Sequence, residues 1–277
     1  MFAVNNLGMQ FGGRKLFSGL TLTFQKGECY GIIGANGAGK STLLRILSGD
    51  LEPTDGAVVL DNNERLSVLK QNPDAYNEET VRRTVLLGNP RLIEVMEEKD
   101  ALYSKPDFSE EDGIKAGELE GEFADLGGWD ADSQIETLLS SLGVPLEDYD
   151  VPMKGLDEKI KVKVLLEQAL FGNPDYLLMD EPTNGLDPMA ADWLEEYLST
   201  YENTVLVVSH DRYFLNKVCT RMLDVDYGKI TPFIGNYDFW YESSQLALKQ
   251  SREDNAKKEE RIKELKDFIA RFAANAA

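Results

Sequence analysis

Cysteine, histidine, basic residues and long apolar runs are all in short supply in this chain of 277 residues. Its two cysteines, Cys29 and Cys219, form neither a disulfide framework nor a metal-ligand spacing. Both read as reduced, buried and small, as expected in a cytoplasmic protein. No run approaches the roughly eighteen consecutive apolar residues of a membrane span. The opening Met1-Phe2-Ala3-Val4-Asn5-Asn6 lacks a basic segment ahead of an apolar stretch, so neither a transmembrane helix nor a signal peptide is predicted. Lys and Arg number 29 against 49 Asp and Glu, a net charge of −20, which argues against a generally basic nucleic-acid-binding surface. The deficit is uneven. Between Glu94 and Asp150 stand 18 acids and three lysines, and the remainder is close to balance, so a local basic face elsewhere is still allowed.

What is present is enough for a packed core: 42% of the residues are apolar, which excludes wholesale disorder. The length suits one large α/β domain with appendages or two smaller units. The stretch Gly34-Ala35-Asn36-Gly37-Ala38-Gly39-Lys40-Ser41 organises the rest. It follows an apolar run, Cys29 to Ile33, that reads as a buried parallel strand, and it precedes a helical spacing from Thr42 to Leu47. In that context G-x-x-x-x-G-K-S is a phosphate-binding loop. Its glycines let the backbone turn tightly and aim N–H groups at an anion, and the helix N-terminus adds partial positive charge. Lys40 would reach the β- and γ-phosphates, and the Ser41 hydroxyl would ligate Mg²⁺.

Ahead of this loop, short apolar strands separated by Gly12-Gly13 and Gly19 suggest a small antiparallel piece. Phe11, just before its turn, fits two roles, an adenine-stacking platform or a cap on the small sheet. Its residue type alone does not choose between them. After the loop helix come strand-like runs at Ala57–Leu60 and Leu66–Leu69, with Gln71 where the second gives way to a loop. From about Glu79 to Leu142 the spacing is helical throughout, an acidic insertion whose charge reads as a solvated face. A strong helix is expected over Glu158–Phe171. Strand Asp175–Asp180, helix Met189–Thr200 and strand Thr204–Val208 follow, then short strands near Met222–Val225 and Ile230–Ile234. Such alternation calls for a mostly parallel sheet covered on both faces. From about Tyr237 a long amphipathic helix is predicted, with an apolar stripe of Ile262, Leu265, Phe268, Ile269 and Phe272. Ion pairs at i, i+4 are expected for Glu253–Lys257, Asp254–Lys258 and Glu259–Lys263. A stripe of this kind wants a second helix, and the reading is of a truncated chain.

Asp180 and Glu181 end a predicted core strand beside the phosphate loop, where parallel sheets bind their ligands. Asp180 would hold Mg²⁺ through water, and Glu181 would polarise the attacking water. His210 is the one histidine of the chain and ends a second core strand. A lone histidine is more often structural, but its place here favours contact with a γ-phosphate.

These residues together resemble the nucleotide-binding domain of an ABC ATPase. The matching positions are Gly34–Ser41, Gln71, Leu178-Met179-Asp180-Glu181-Pro182, Thr183-Asn184-Gly185-Leu186-Asp187 and Ser209-His210-Asp211. Within that superfamily, Phe171-Gly172-Asn173-Pro174-Asp175, Ser209-His210-Asp211-Arg212 and Gly235-Asn236-Tyr237 are similar to ABC-F proteins, in particular the YbiT-type branch. The resemblance implies an α/β fold of the ABC P-loop type with a small antiparallel β subdomain, a helical subdomain and an extended C-terminal helix. It implies a nucleotide-binding domain over residues 1–236, with a helical arm at about 79–157, and the start of an interdomain linker over 237–277. ATP and Mg²⁺ are the implied cofactors. Phe11 would stack on adenine, and Asn36, Gly37, Ala38, Gly39, Lys40, Ser41 and Thr42 would hold the phosphates. Gln71 would sit near Mg²⁺ and the attacking water, Asp187 in the dimer-interface loop, and His210 would be the switch histidine. ABC-F proteins pair two such domains and act on the ribosome near its tRNA sites, without a membrane. The alternative is the ATPase subunit of an ABC membrane transporter, against which the charged helix after Tyr237 speaks. A module that binds ATP without hydrolysis is the third reading.

One departure stands out. Where the family has its LSGGE signature, this chain reads Leu156-Asp157-Glu158-Lys159-Ile160. Acidic side chains occupy a place meant for close backbone approach to a γ-phosphate. The signature acts on the partner's nucleotide, so the Lys40 and Glu181 site is untouched by the change.

Overall fold

Apolar runs bounded by glycine turns build two sheets in a computed structural model that describes residues 1–275, with side chains described through Lys266 except at Ser251 and Ala256. The smaller sheet is antiparallel. It consists of β1 (Phe2–Phe11), β2 (Arg14–Phe24) and β4 (Asp55–Leu60) in the order β2-β1-β4. The larger sheet contains β3 (Cys29–Gly34), β5 (Leu66–Val68), β6 (Tyr176–Asp180), β7 (Thr204–Val208), β8 (Arg221–Asp226) and β9 (Lys229–Ile234). Its order is β5-β6-β7-β3-β8-β9, parallel except for the edge strand β9. β3, β6 and β7 are almost wholly buried, which is why they read as continuous apolar runs rather than alternating ones.

The helices are α1 (Lys40–Leu47), α2 (Val81–Leu86), α3 (Pro90–Tyr103), α4 (Glu110–Asp125), α5 (Ala131–Ser141), α6 (Glu158–Leu170), α7 (Pro188–Ser199), α8 (Arg212–Val218) and α9 (Tyr237–Asn275). Three cores result. One lies where the antiparallel sheet and α1 meet the larger sheet, around Phe2, Phe17, Tyr30, Leu43 and Leu206. A second packs α6, α7 and α8 against the larger sheet, around Met179, Leu194, Val207 and Phe214. The third gathers Val85, Leu92, Ile135, Leu139, Val164 and Phe171 among α2 to α6. Capping chemistry sets several helix starts: the Thr80, Asn89, Ser109, Asp187 and Asp211 side chains each accept a first-turn N–H.

The sequence reading differs from the structure in a few places. Gly19 does not separate two strands. It takes φ 74° inside β2, where the pairing with β1 is irregular, so one strand bends through it. Helix α8 went unrecognised because its seven residues are too few to show a helical period. Of the three i, i+4 pairs expected on α9, none closes among the described side chains, where Arg261–Glu264 pairs at 2.8 Å instead. Long exposed side chains gain too little from pairing to be held together in water. Ile262 and Leu265 are exposed; the side chains of Phe268, Ile269 and Phe272, and the terminal Ala276-Ala277, lie outside the described residues. The acidic insertion is less a bare solvated face than a surface organised around a few bases. Arg91 binds Glu94, Glu98 and Glu122, Arg82 binds Asp132, Glu136 and Asp150, and Lys99 binds Glu120. Cys29 and Cys219 are buried free thiols with Sγ atoms 3.7 Å apart.

Candidate functional site

The turn from β3 into α1 is possible because glycine stands where the backbone leaves ordinary space. Gly34, Gly37 and Gly39 have φ of 148°, 77° and 110°. At Gly34 a Cβ would lie 2.3 Å from the Val225 carbonyl oxygen of β8, so no other residue fits without moving that strand. Gly39 leads into α1 in a left-handed conformation, and Lys40 follows as the first helical residue. The Lys40 side chain is only 7% exposed, and its ammonium donates to the carbonyls of Gly34 (3.0 Å) and Ala35 (3.2 Å). A buried cation is thereby held at the mouth of a helix whose first N–H groups have no helical partner.

The parallel register brings the other candidates to the same end of the sheet. Asp180 ends β6 opposite Val208, the last residue of β7. Glu181 follows at φ 53°, a left-handed backbone that a non-glycine residue adopts at a cost. Its N–H donates to the Val208 carbonyl at 2.8 Å. Its Oε2 accepts from the His210 N–H at 3.3 Å, and the His210 imidazole Nε2 stands 3.6 Å from Oε1. That Oε1 is buried and has no hydrogen bond among the described residues. The Gln71 side-chain amide donates to the Asp180 carbonyl at 3.1 Å, which leaves its own carbonyl oxygen as a free acceptor.

A cavity of about 610 Å³ is lined by Asn36, Gly37, Gly39, Lys40, Ser41, Thr42, Gln71, Asp180, Glu181 and His210. Thus ten of the residues expected from sequence meet in one space. Ala38 lies outside it, on a neighbouring cleft of about 250 Å³, and Gly34 stands behind it against β8. Phe11 lines neither of these two cavities. It ends β1 opposite Arg14, 50% exposed and packed into no core. Arg14, Lys15 and Leu16 line the smaller cleft with Ala35–Ala38, Asp226, Tyr227 and Gly228, and Leu16 and Asn184 also line the larger cavity. Arg14, Lys15, Leu16, Asp226, Tyr227 and Gly228 had no part in the site expected from sequence, and Asn184 had one only within the family motif. The adjacent bases Arg14-Lys15 directly after Gly12-Gly13 were the available signal.

The cavity's chemistry suits a polyanion accompanied by a hard cation. Lys40 and the helix start offer positive charge. The Ser41 hydroxyl and the Asp180 carboxylate make no side-chain hydrogen bond among the described residues, so both oxygens are available. Among those residues no three His, Cys, Asp or Glu side chains gather as a metal site. A divalent cation held here would need hydroxyl, amide and phosphate oxygens beside one carboxylate, as Mg²⁺ accepts.

The α6 start, where Leu156–Ile160 stands in place of the signature, is far from bare. The Asp157 carboxylate caps the helix, accepting the Lys159 N–H at 2.8 Å, and Glu158 pairs with Lys161 at 2.9 Å. Further along α6, Lys163 binds Asp187 at 2.6 Å, and Asp187 also caps α7 through the Ala190 N–H. The bond from Lys163, then that from the Ala190 N–H, holds the Asp187 carboxyl below its usual range.

Comparison with known proteins agrees with this picture. Two family models, both described as ABC transporter, match residues 17–184 and 223–277. The chain is 60% identical over its full length to the uncharacterized ABC transporter ATP-binding protein YkpA of Bacillus subtilis (strain 168), of which it covers 51%. It is 46% identical over its full length to the probable ATP-binding protein YbiT of Escherichia coli O157:H7, covering 52% of that protein. With the energy-dependent translational throttle protein EttA of Escherichia coli (strain K12) it shares 34% identity over 92% of this chain and 46% of that one. The chain therefore spans about half the length of the curated relatives it matches. Among solved structures, an ATP-binding subunit of an ABC transporter superposes with a TM-score of 0.67 at 20% identity, covering 89% of this chain and 94% of that one. A dimeric ATP-binding cassette in a post-hydrolysis state with ADP and Pi gives 0.59 at 20% identity, covering 84% and 98%. At that identity the two structures speak for the fold alone.

Proposed function

The chain belongs to the ABC ATP-binding family, and from that premise we propose that it binds Mg-ATP in the 610 Å³ cavity and supplies the hydrolytic half of a composite ATPase site. The observation that carries the reading is the convergence of Lys40, Ser41, Gln71, Asp180, Glu181 and His210 on that one space. In it Lys40 turns its ammonium from the loop carbonyls toward the β- and γ-phosphates, and Asn36 to Thr42 offer N–H groups to their oxygens. Ser41, Asp180 and the free carbonyl of Gln71 would hold Mg²⁺, whose chemistry is to neutralise charge on the β- and γ-oxygens. Glu181 accepts the proton of the attacking water through the oxygen that the fold leaves without a partner. His210, beside Glu181, donates to the γ-phosphate and keeps the carboxylate aimed. Phe11 and the Arg14-Lys15 pair form the nucleotide's outer boundary, the ring stacking on adenine and the bases facing phosphate or ribose.

In this reading residues 1–236 are the nucleotide-binding domain, 79–157 its helical arm, and α9 the start of a linker to a second ABC domain. That second domain completes the site by presenting its own signature to the nucleotide. The identity to YbiT and to the translational throttle EttA supports an ABC-F-type protein acting on the ribosome to modulate translation or protect against antibiotics. No helix among the described residues is long and apolar enough to cross a membrane.

Glu181→Gln tests the reading directly. ATP affinity should stay within about twofold, while turnover falls by about 10²–10⁴-fold, the usual worth of a general base. A loss below tenfold assigns the base to another residue. Sedimentation with ribosomes, with and without ATP, tests the translational part: ATP-dependent pelleting of the Glu181→Gln protein is expected, and none under either condition refutes it.

A further inference from the structure

A second large cavity, about 620 Å³, lies between the ends of β3 and β8 and the first turns of α9. Its volume falls within the roughly 300–1,000 Å³ range of small-molecule sites. Its wall is aromatic, made by Phe233 of β9 and by Tyr237, Trp240 and Tyr241 of α9. The Tyr237 and Trp240 rings lie 5.2 Å apart, and those of Tyr237 and Tyr241 are nearly parallel at 6.4 Å.

Into this aromatic space open two carboxylates, Asp224 and Asp226. Asp224 accepts one bond, from the Trp240 indole N–H at 3.1 Å, and Asp226 one, from the Tyr227 N–H at 2.9 Å. Each keeps an oxygen free, and neither forms an ion pair among the described residues. Lys40, the one Lys or Arg in the lining, spends its ammonium on the carbonyls of Gly34 and Ala35. Burial raises the Asp224 carboxyl above its usual range, and the charge of Asp226 adds to this against the Trp240 bond. Asp224, partly withdrawn from water, and the more exposed Asp226 beside it, with ring faces around them and no ion pair among the described residues, are complementary to a cation with an apolar body.

We propose that this cavity binds a small organic cation, an ammonium on an aromatic or aliphatic frame, with its charge between Asp224 and Asp226 and its frame against Trp240, Tyr237 and Tyr241. The site adjoins the proposed triphosphate pocket: Lys40 and His210 border both cavities, and Ala35 and Asp226 also line the cleft beside Arg14 and Lys15. A cation–π contact and a charge-assisted hydrogen bond both favour the charged ligand over a neutral one of the same shape.

The test uses 2-phenylethylammonium as probe and 2-phenylethanol as its neutral match, titrated calorimetrically into the 277-residue protein. The ammonium should bind at least tenfold more tightly than the alcohol. Asp224→Asn, which keeps an oxygen for Trp240, should weaken the ammonium at least tenfold, leaving the alcohol and the melting temperature unchanged. Asp226→Asn, at an exposed position, should weaken it several-fold and serves if the first variant fails to fold. Equal binding of the two probes, binding of neither, or indifference to both substitutions overturns the proposal. So does strict competition with Mg-ATP, which assigns the probe to the nucleotide pocket. Tighter binding of N-acetyl-arginine amide than of the ammonium gives the cavity to a protein's arginine, and likewise overturns it.

Discussion

Replacing Glu167 with leucine should stabilise this protein. Glu167 lies on α6, is 0% exposed, and neither carboxylate oxygen has a hydrogen-bond partner. The nearest compensating charge is Lys163, one turn earlier, and that ammonium is already engaged by Asp187 at 2.6 Å. Burial therefore raises the Glu167 carboxyl well above its usual range, with Lys163 opposing only in part. Between the unfolded and the raised folded value the folded protein holds a proton that the unfolded chain has lost, so for this group stability is greatest below the unfolded carboxyl range and is lost as pH rises toward the raised folded value. The loss runs at about 1.4 kcal/mol per pH unit while the two states differ by a full proton. To this is added the cost of burying a neutral acid without partners, about 1–3 kcal/mol. Leucine removes both penalties at similar volume among Val164, Phe171 and their neighbours.

The measurement is urea unfolding of the wild type and of Glu167→Leu at pH 5.5 and pH 7.5. The variant should be more stable by about 2–4 kcal/mol at the higher pH, with a smaller gap at the lower. Glu167→Gln separates the two contributions: like leucine it does not titrate, but it keeps an unpartnered polar group in the core, so the leucine variant should exceed it by a margin that is the same at both pH values. A leucine variant less stable than the wild type, or a gap that does not change with pH, refutes the argument.

Other expectations follow from single contacts. Gly34→Ala should abolish ATP binding at concentrations that saturate the wild type, because its Cβ meets the Val225 carbonyl at 2.3 Å and the loop must move; retained affinity in a nucleotide-binding titration excludes that steric reading. Gly88→Ala should cost several kcal/mol by thermal or urea melting, since its Cβ would fall 1.9 Å from the Gln168 carbonyl and force α2 away from α6. The 277-residue chain alone should hydrolyse ATP slowly and without cooperativity, because a homodimer would set Asp157 and Glu158 against both γ-phosphates. Strong cooperative turnover, or a stable ATP-dependent homodimer in gel filtration, contradicts this.

The core of the fold could be read from sequence because buried parallel strands are continuous apolar runs. Tyr176–Asp180 and Thr204–Val208 needed no other evidence. The phosphate loop was legible for a different reason, since only glycine accommodates the backbone at Gly34 and the close approach of β8. That Asp180, Glu181 and His210 would meet in one space could be expected because the ends of parallel strands converge on one side of the sheet. What escaped depends on contacts between distant segments. The Asp224–Trp240 bond joins β8 to α9, and the Lys163–Asp187 pair joins α6 to the loop before α7. Residue types at such separations carry no pattern that would bring them together. The burial of Glu167 was equally hidden, because a glutamate within a helical run reads as part of its solvated face. Phe11, whose role came from the family resemblance alone, is half exposed and lines neither cavity.

Helix α6 ties these points to the proposed function. Its N-terminus, where the family presents backbone to a partner's γ-phosphate, is capped internally by Asp157 and flanked by the Glu158–Lys161 pair. The helix end's partial positive charge is thus already matched by a resident carboxylate, and an incoming phosphate must either displace it or meet like charge. Two residues beyond Lys161, and on another face of the helix, Lys163 fixes Asp187 and with it the loop that leads from Glu181 into α7. The helix therefore supports this chain's own candidate site while offering little to a nucleotide held by a partner. Were the chain paired as proposed, such an arrangement would make the two ATP sites unequal: the one built on Lys40 and Glu181 would depend on the partner's signature, and the opposite one would have an acid-capped helix in its place.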